Sequence, residues 1–206
     1  MEKLFEGIPV RKFRKGQILI YEGDPVENIY MLMSGYVKVS NLLANGSQRT
    51  IIIYKPGDAF PLTSFLSGEG VARYFYECMT DVEVLAKSQA EFQDMIKGNH
   101  ELGEQLITYT YRMSQQFIER IETLSAQSAR SKIISLFGYL AKRVGEPDKA
   151  KINLKVPLTS QEVADMCGLT RETASLQIIR LKKEGVISGR RQLSLDKAKL
   201  KKLAAA

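Results

Sequence analysis

Apolar residues follow two rhythms along the chain, and the change comes near residue 100. Before it, short runs of branched and aromatic residues recur: Ile18-Leu19-Ile20-Tyr21, Ile29-Tyr30-Met31-Leu32-Met33, Tyr36-Val37-Lys38-Val39, Thr50-Ile51-Ile52-Ile53-Tyr54, Tyr74-Phe75-Tyr76-Glu77-Cys78 and Val82-Glu83-Val84-Leu85. Turn glycines lie between them, Gly16, Gly23, Gly35, Gly46, Gly57 and Gly68, at separations of 7, 12, 11, 11 and 11 residues. Strands of that length at that spacing predict an antiparallel sandwich or barrel around an apolar interior, and Asn45-Gly46 is a strong hairpin-turn signal. A β jelly roll is expected. Other β-sandwiches share the spacing, so it sets the class and not the function.

From Glu101 the period becomes helical. Leu102, Leu106, Tyr109, Met113, Phe117, Ile121 and Leu124 recur every three or four residues, which predicts an amphipathic helix over 101–124. Such a helix, ~36 Å long, either covers the barrel or meets a copy of itself; the length of the stripe favours pairing. After Ser125-Ala126-Gln127-Ser128 a second helical pattern runs through Ile133 to Leu140, Gly145-Glu146-Pro147-Asp148 breaks it, and Ile152 to Val156 alternates like a short strand. The end of the chain, Lys202-Leu203-Ala204-Ala205-Ala206, resembles a cloning remnant and is set aside.

Composition narrows the classes. With 206 residues, 44% hydrophobic and 26% charged, the chain can bury real cores and is not a disordered polymer. No apolar run approaches the ~20 residues of a membrane span, and Met1-Glu2-Lys3 starts without a signal core, so a cytoplasmic protein without membrane contact is expected. Cys78 and Cys167 are too few and too far apart for a disulfide framework or a cluster, and both read as buried apolar residues. His100, the sole histidine, makes any Ser-His or Cys-His arrangement hang on one residue that reads better as a loop or helix start. An enzyme is not expected: phosphate-cradling Gly-Lys-Ser/Thr and metal-ligand patterns are both missing from the sequence, and the cofactor is left unassigned.

Charge is unevenly placed. Residues 1–100 carry −1, residues 101–124 carry −2 and residues 125–206 carry +10. An excess confined to the last 82 residues points to an acidic polymer as the partner of that part, nucleic acid first; a solvated lysine-rich face is the competing explanation.

Residues 158–184 decide between them. Thr159-Ser160-Gln161-Glu162 fits a capping box that opens a helix with Val163 and Ala164 inward. Gly168 marks a sharp turn after Cys167, Leu169 fills the corner, and Thr170 caps a second helix from Arg171 to Glu184 with Ile178 and Leu181 inward. This is a helix-turn-helix pattern, whose second helix enters the major groove. Arg171 suits phosphate or guanine, Glu172 the cytosine amino group, and Thr173 and Ser175 phosphate or base. Arg180, Lys182 and Lys183 lie further back, towards backbone contacts. Val186 to Leu195 reads as a wing hairpin with Gly189 in its turn and Arg190 and Arg191 near the tip. Capped helix, glycine turn, polar face and basic hairpin together on one cationic segment outweigh the solvated-face alternative.

At these residues the chain resembles the Crp/Fnr family of bacterial transcription factors, the cyclic-AMP receptor and fumarate-nitrate regulators, over nearly its whole length. Phe13-Arg14-Lys15-Gly16-Gln17 to Gly23-Asp24, Ile29 to Val39 and Lys55-Pro56-Gly57-Asp58-Ala59-Phe60 are similar to the family's effector-domain signatures, as are Leu158 to Ala164 and Leu169 to Thr173 to its DNA-reading ones. The resemblance implies an α+β chain: a cyclic-nucleotide-binding-like β jelly roll over 1–100, a dimerisation helix over 101–124 and a winged helix-turn-helix over 125–206. It also implies a homodimer on a palindromic double-stranded operator, RNA polymerase as a partner, and base-reading positions at Arg171 and Glu172. The DNA-contacting set is then Thr159, Ser160, Thr170, Arg171, Glu172, Thr173, Ser175, Arg180, Arg190 and Arg191.

Departures from the family pattern bear on the effector. The Gly-Glu and Arg-Ser pairs that hold ribose and cyclic phosphate in cyclic-AMP-binding members are replaced by Phe60-Pro61-Leu62-Thr63-Ser64 and Val71-Ala72-Arg73-Tyr74, so an effector other than cyclic AMP is expected. The stretch is more similar to nitrogen-control regulators that sense 2-oxoglutarate, where an arginine holds a carboxylate. The oxygen-sensing branch's cysteine cluster and the axial ligands of a haem-sensing branch are missing. Phe60, Leu62, Thr63, Ser64, Arg73 and Tyr74, with Tyr76, are the candidate pocket, and Thr108, Tyr111, Arg112 and Gln115 approach from the long helix. A buried Arg73 would need an anionic metabolite, or else Glu77 or Glu69 as an internal partner. Leu176 stands where the family commonly has an arginine that reads guanine, which removes about 1–3 kcal/mol of discrimination. Two alternatives stay open: a metabolite-binding module acting through protein contacts, and an effector-independent regulator of the same type.

Overall fold

In the computed structural model, which describes residues 2–204 apart from Asn45 and Glu69, the strands of the first hundred residues close into two antiparallel sheets. The strands are β1 Arg11–Phe13, β2 Ile18–Ile20, β3 Asn28–Ser34, β4 Val37–Leu42, β5 Gln48–Tyr54, β6 Ala59–Phe60, β7 Phe75–Cys78 and β8 Val82–Ser88. One sheet has the order β1-β8-β3-β6 and the other β2-β7-β4-β5, the jelly roll expected from the spacing. Each of the six apolar runs contains a strand; β1 and β6, of three and two residues, are too short to show a period. All six turn glycines have positive φ. At Gly35 (φ 83°) any side chain would also run into the Asp81 carbonyl, so glycine is required there twice over. Asn45 of the predicted hairpin turn, Glu69 as a partner of Arg73, and Ala205-Ala206 lie outside the described residues.

Register sets what fills the interior. Tyr30 faces Phe60 across β3 and β6, and Tyr76 is the partner of Ile20 on β2 and Val39 on β4. Between the sheets the Phe60 ring stacks at 5.4 Å on Tyr76, 5.1 Å on Tyr54 and 5.6 Å on Tyr30. Helices α1 (Leu62–Ser67) and α2 (Gln89–Lys97) follow β6 and β8. Ser88 and Glu91 form a complete capping box at the start of α2.

Helix α3 (His100–Ser125) contains the predicted helix and has two apolar faces. Leu102, Leu106 and Met113 are buried, whereas Ile107, Tyr111, Ile118 and Ile121 are exposed at i, i+4, i+11 and i+14. The predicted stripe is therefore buried over its first turns and emerges at Ile121, which is 62% exposed while its neighbour Arg120 is 4% exposed. A period of 3.6 residues does not keep one column buried over seven turns, so by the end of α3 the inward position has moved back by one residue.

The rest of the chain is mainly helical: α4 (Ala129–Val144), β9 (Gly145–Asp148), β10 (Lys151–Leu154), α5 (Ser160–Cys167), α6 (Arg171–Lys183), β11 (Ile187–Ser188), β12 (Ser194–Asp196) and α7 (Lys197–Ala204). The Gly145 to Asp148 segment ends α4 as expected and is itself an edge strand, with Pro147 opposite Ile152 in a sheet ordered β11-β12-β10-β9; an edge tolerates proline because no partner needs its missing N–H. One reading needs correction: Lys202, Leu203 and Ala204 belong to α7, which buries Leu200, and are part of the fold.

The chain divides into two compact units, residues 1–41 with 52–116, and residues 42–51 with 117–206. In the second, the Arg120 guanidinium is buried and donates through Nε to the Ile51 carbonyl (2.8 Å) and through Nη2 to those of Thr50 (3.3 Å) and Met166 (2.6 Å). It lies 5.2 Å from the centre of the Tyr139 ring, and burial lowers its pKa from the ordinary value. Arg120→Ala leaves three carbonyls short of a donor. It is expected to cost about 3 kcal/mol in urea unfolding, with Arg120→Lys recovering only part because an ammonium cannot fork.

Candidate nucleic-acid interface

The helix-turn-helix forms as its sequence directs. Thr159 Oγ1 accepts from the Glu162 N–H while the Glu162 carboxylate accepts from the Thr159 N–H (2.6 Å), closing the capping box at α5. Gly168 ends α5 in the left-handed region (φ 65°), and a side chain there would strike the Arg49 guanidinium. The Leu169 N–H then returns to the Ala164 carbonyl at 3.1 Å. Thr170 caps α6 by accepting from the Thr173 N–H at 3.2 Å.

Burial separates the faces of α6. Ala174, Gln177, Ile178 and Leu181 are buried, together with Val163, Ala164 and Cys167 of α5. Arg171, Glu172, Leu176, Ile179, Arg180 and Lys183 are exposed, with Thr173 and Ser175 half-buried beside them. Glu172, Leu176, Ile179 and Lys183 succeed one another at i, i+4, i+7 and i+11, so they follow one line along the helix, opposite the buried line. Thr159 and Thr170 are exposed at the two caps and Ser160 is half-buried. In the wing, Ile187 pairs with Leu195 and Ser188 with Ser194. Gly189 (φ 90°) begins the connecting turn, and Arg190 and Arg191 are exposed on it. The Arg191 carbonyl accepts from Leu158 N–H at 2.9 Å, which ties the wing to the entry of α5.

One ion pair anchors the far end of α6. Arg130, in the first turn of α4, donates from Nη1 and Nη2 to the two Glu184 carboxylate oxygens at 2.9 and 2.7 Å. Glu184 caps α6, so this two-pronged contact joins the end of that helix to α4. Arg120 and Arg130 are the residues of this region that the sequence pattern did not single out. Arg120 had a signal, since it lies three residues after Phe117 and four before Leu124, on the buried line. Arg130 had none, because its partner is 54 residues away.

In the first unit the candidate effector residues have different surroundings. Phe60, Leu62 and Ser64 are buried, and among the described residues the Ser64 hydroxyl has no hydrogen-bond partner. Tyr76 is buried, hydrogen-bonds to Thr63, and has its pKa raised by burial. Thr63 is exposed and Tyr74 half-buried. Arg73 is exposed, which removes the argument that a buried guanidinium requires an anion, and Glu77 pairs with Lys38 at 3.0 Å directly across β7 and β4. Tyr111 and Arg112 are both exposed on α3. It is Tyr109 that reaches β6: its hydroxyl accepts from the Ala59 N–H (2.9 Å) and lies 3.2 Å from the Ala59 carbonyl. Tyr109 shares the buried line of Leu102, Leu106 and Met113, whereas two further residues carry Tyr111 to the opposite side.

Cys78 and Cys167 are buried, which pushes their thiols up to about 11 and about 12. His100 is the exposed first residue of α3, 3.7 Å from Glu104. Among the described residues no helix is long and apolar enough to cross a membrane.

A family model of the cyclic nucleotide-binding domain matches residues 10–99, and one of the Crp-like helix-turn-helix domain matches residues 131–203. The chain is 27% identical over 180 residues to the global nitrogen regulator of Nostoc sp., spanning 87% of this chain and 81% of that protein. It is 26% identical over 182 residues to the transcriptional activator protein FnrL of Cereibacter sphaeroides, spanning 86% and 72%. Among solved structures, FixK2 from Bradyrhizobium japonicum shares the fold, with a TM-score of 0.82 at 22% identity over 97% of this chain and 98% of that one. A transcriptional regulator of the CRP family from Thermus thermophilus superposes with a TM-score of 0.79 at 26% identity over 95% and 97%.

Arg130 holds the Glu184 carboxyl below its ordinary value of 4.5. The stabilisation is present above the unfolded-state pKa and disappears as pH falls through the lower folded value. A carbon-13 titration is expected to find Glu184 depressed in the native chain and back in the ordinary carboxylate range in Arg130→Gln; equal values in the two proteins would show that the pair is inactive in solution.

Proposed function

Because the chain belongs to the Crp/Fnr family of DNA-binding transcription regulators, we propose that it works in the cytoplasm as a homodimer that reads a palindromic operator with α6 and the wing and communicates with RNA polymerase. It is a regulator and not an enzyme, as its relatives are. The observation that carries the DNA-reading assignment is the exposed first turn of α6, where Arg171 and Glu172 project from a capped helix whose other face is buried. Arg171 offers a fork to guanine, Glu172 accepts from cytosine, and Thr159, Ser160, Thr170, Thr173, Ser175, Arg180, Arg190 and Arg191 position the backbone. Dimerisation is supported by Ile107, Tyr111, Ile118 and Ile121, an exposed apolar line at near-heptad spacing that a second α3 would cover.

Control by an anionic metabolite other than cyclic AMP is the reading supported by the similarity to nitrogen regulators and by the departures at Phe60 to Ser64 and Val71 to Tyr74, and no longer by burial of Arg73. A specific observation favours a second reading, an effector-independent regulator. The stacked rings of Tyr30, Tyr54, Phe60 and Tyr76 occupy the space between the sheets, with Phe60 and Tyr76 only 0% and 1% exposed. A ligand entering there has to displace them, and displaced rings lose both their apolar burial and their stacking.

Selection from a random duplex library is expected to return a two-fold symmetric site. Affinity for that site should fall steeply with log salt, and Arg171→Ala should lose roughly 10- to 100-fold and relax one position per half-site. Ile118→Glu with Ile121→Glu is expected to give a monomer by sedimentation that no longer prefers the palindrome. Calorimetry with dicarboxylates and cyclic nucleotides separates the control readings: heat lost in Arg73→Ala supports the anionic effector, and silence from the native protein supports the second reading.

A further inference from the structure

The exposed line of α6 is not uniformly polar. Leu176 and Ile179, each 49% exposed, follow Glu172 by one and two helical turns and lie in its middle, between Arg171 and Arg180. The buried line already has Ala174, Ile178 and Leu181, so neither side chain is needed by the core of this unit. The patch is two side chains wide, far smaller than a protein interface, and it is bounded by Arg171, Arg180 and Lys183, which suit a phosphate-lined groove rather than an apolar partner. In the major groove, the apolar feature of a base edge is the 5-methyl group of thymine.

Resting on the DNA-reading assignment above, we propose that Leu176 is a specificity-determining residue that recognises thymine by its 5-methyl group at one position in each half-site. Leu176 is one turn beyond Glu172, still within the part of the helix that reaches base edges, whereas Ile179 is a further turn back towards the groove wall. Leucine has neither donor nor acceptor, so it leaves the polar atoms of a base unserved and discriminates by methyl burial alone. The contact therefore separates thymine from uracil, and 5-methylcytosine from cytosine, pairs that hydrogen-bonding side chains do not distinguish.

The test uses the full chain and the duplex obtained by selection. Each thymine is replaced in turn by deoxyuridine, which removes one methyl group and keeps both hydrogen-bonding edges. Native protein is expected to lose about fourfold at one symmetric position per half-site, the equivalent of one buried methyl, and about 15-fold when both half-sites are changed. Leu176→Ala should bind thymine and deoxyuridine equally at that position, while Arg171→Ala, though weaker throughout, keeps the difference. Because Leu176 is half out of the protein, Leu176→Ala is expected to fold with native circular dichroism. Cytosine and 5-methylcytosine at the same position should differ by the same factor. Indifference of the native protein to every deoxyuridine, or a preference that survives in Leu176→Ala, overturns the proposal. A selection that returns no sequence at all removes the DNA-reading assignment instead, and the proposal with it.

Discussion

A single buried guanidinium joins the segments on which the reading helix depends. Arg120 brings together the carbonyls of Thr50 and Ile51 from the β4–β5 hairpin and that of Met166 near the end of α5. Its partners are all neutral, so the charge is held by carbonyl dipoles and the Tyr139 ring, and each contact has to be well directed to offset the lost hydration. Around it the hairpin and the helix-turn-helix meet again, because the Arg49 guanidinium occupies the space that only a glycine at 168 leaves open. The sharp turn before α6 thus lies against Arg49 and follows the Met166 carbonyl that Arg120 holds, while its left-handed backbone calls for its own glycine. Where the first turn of α6 presents Arg171 and Glu172 follows from that arrangement.

The parts of this fold that were legible in the sequence are those specified locally. Strand runs between glycines, the Thr159–Glu162 capping box, Gly168, the Thr170 cap and the wing depend on neighbours within a few residues, and all of them form. What sequence order hides is contact between distant segments: Arg120 with Thr50 and Met166, and Arg130 with Glu184. A composition-based reading of Lys202 to Ala204 also failed, because alanine and lysine are good helix formers and the helix is anchored by Leu200 upstream. The Ser88–Glu91 box of α2 was readable by the same rule as Thr159–Glu162; it was hidden only by the apolar strand just before it.

In helix α3, covering the barrel does not exclude meeting a partner. Its inward line and its exposed apolar line lie on different sides, so burying the first leaves the second open to the partner proposed above. Tyr109 and Tyr111 illustrate the division: the first fixes β6 by two contacts with Ala59, and the second is left outside. The β6 strand carries Phe60 into the stacked rings, which places the interior packing of the jelly roll one residue away from a helix proposed to form the dimer. Any effector that rearranged those rings would therefore act on the strand that Tyr109 holds.

Charge counting needs the same discrimination between what is committed inside the fold and what is available outside. The +10 of residues 125–206 is the sum that first pointed to nucleic acid, yet several of its cations have partners. Arg130 is held by Glu184, Lys142 by Glu119 at 3.0 Å and Lys155 by Glu146, while Lys197 and Lys199 donate to the carbonyls of Lys149 and Glu184. Arg143 is buried. A salt slope near −0.9 per neutralised phosphate is governed by cations that can reach the backbone, in the proposed reading chiefly the exposed Arg171, Arg180, Lys183, Arg190 and Arg191, and not by the formal total. The total identifies the kind of partner; the exposed subset determines how strongly ionic strength acts on the complex.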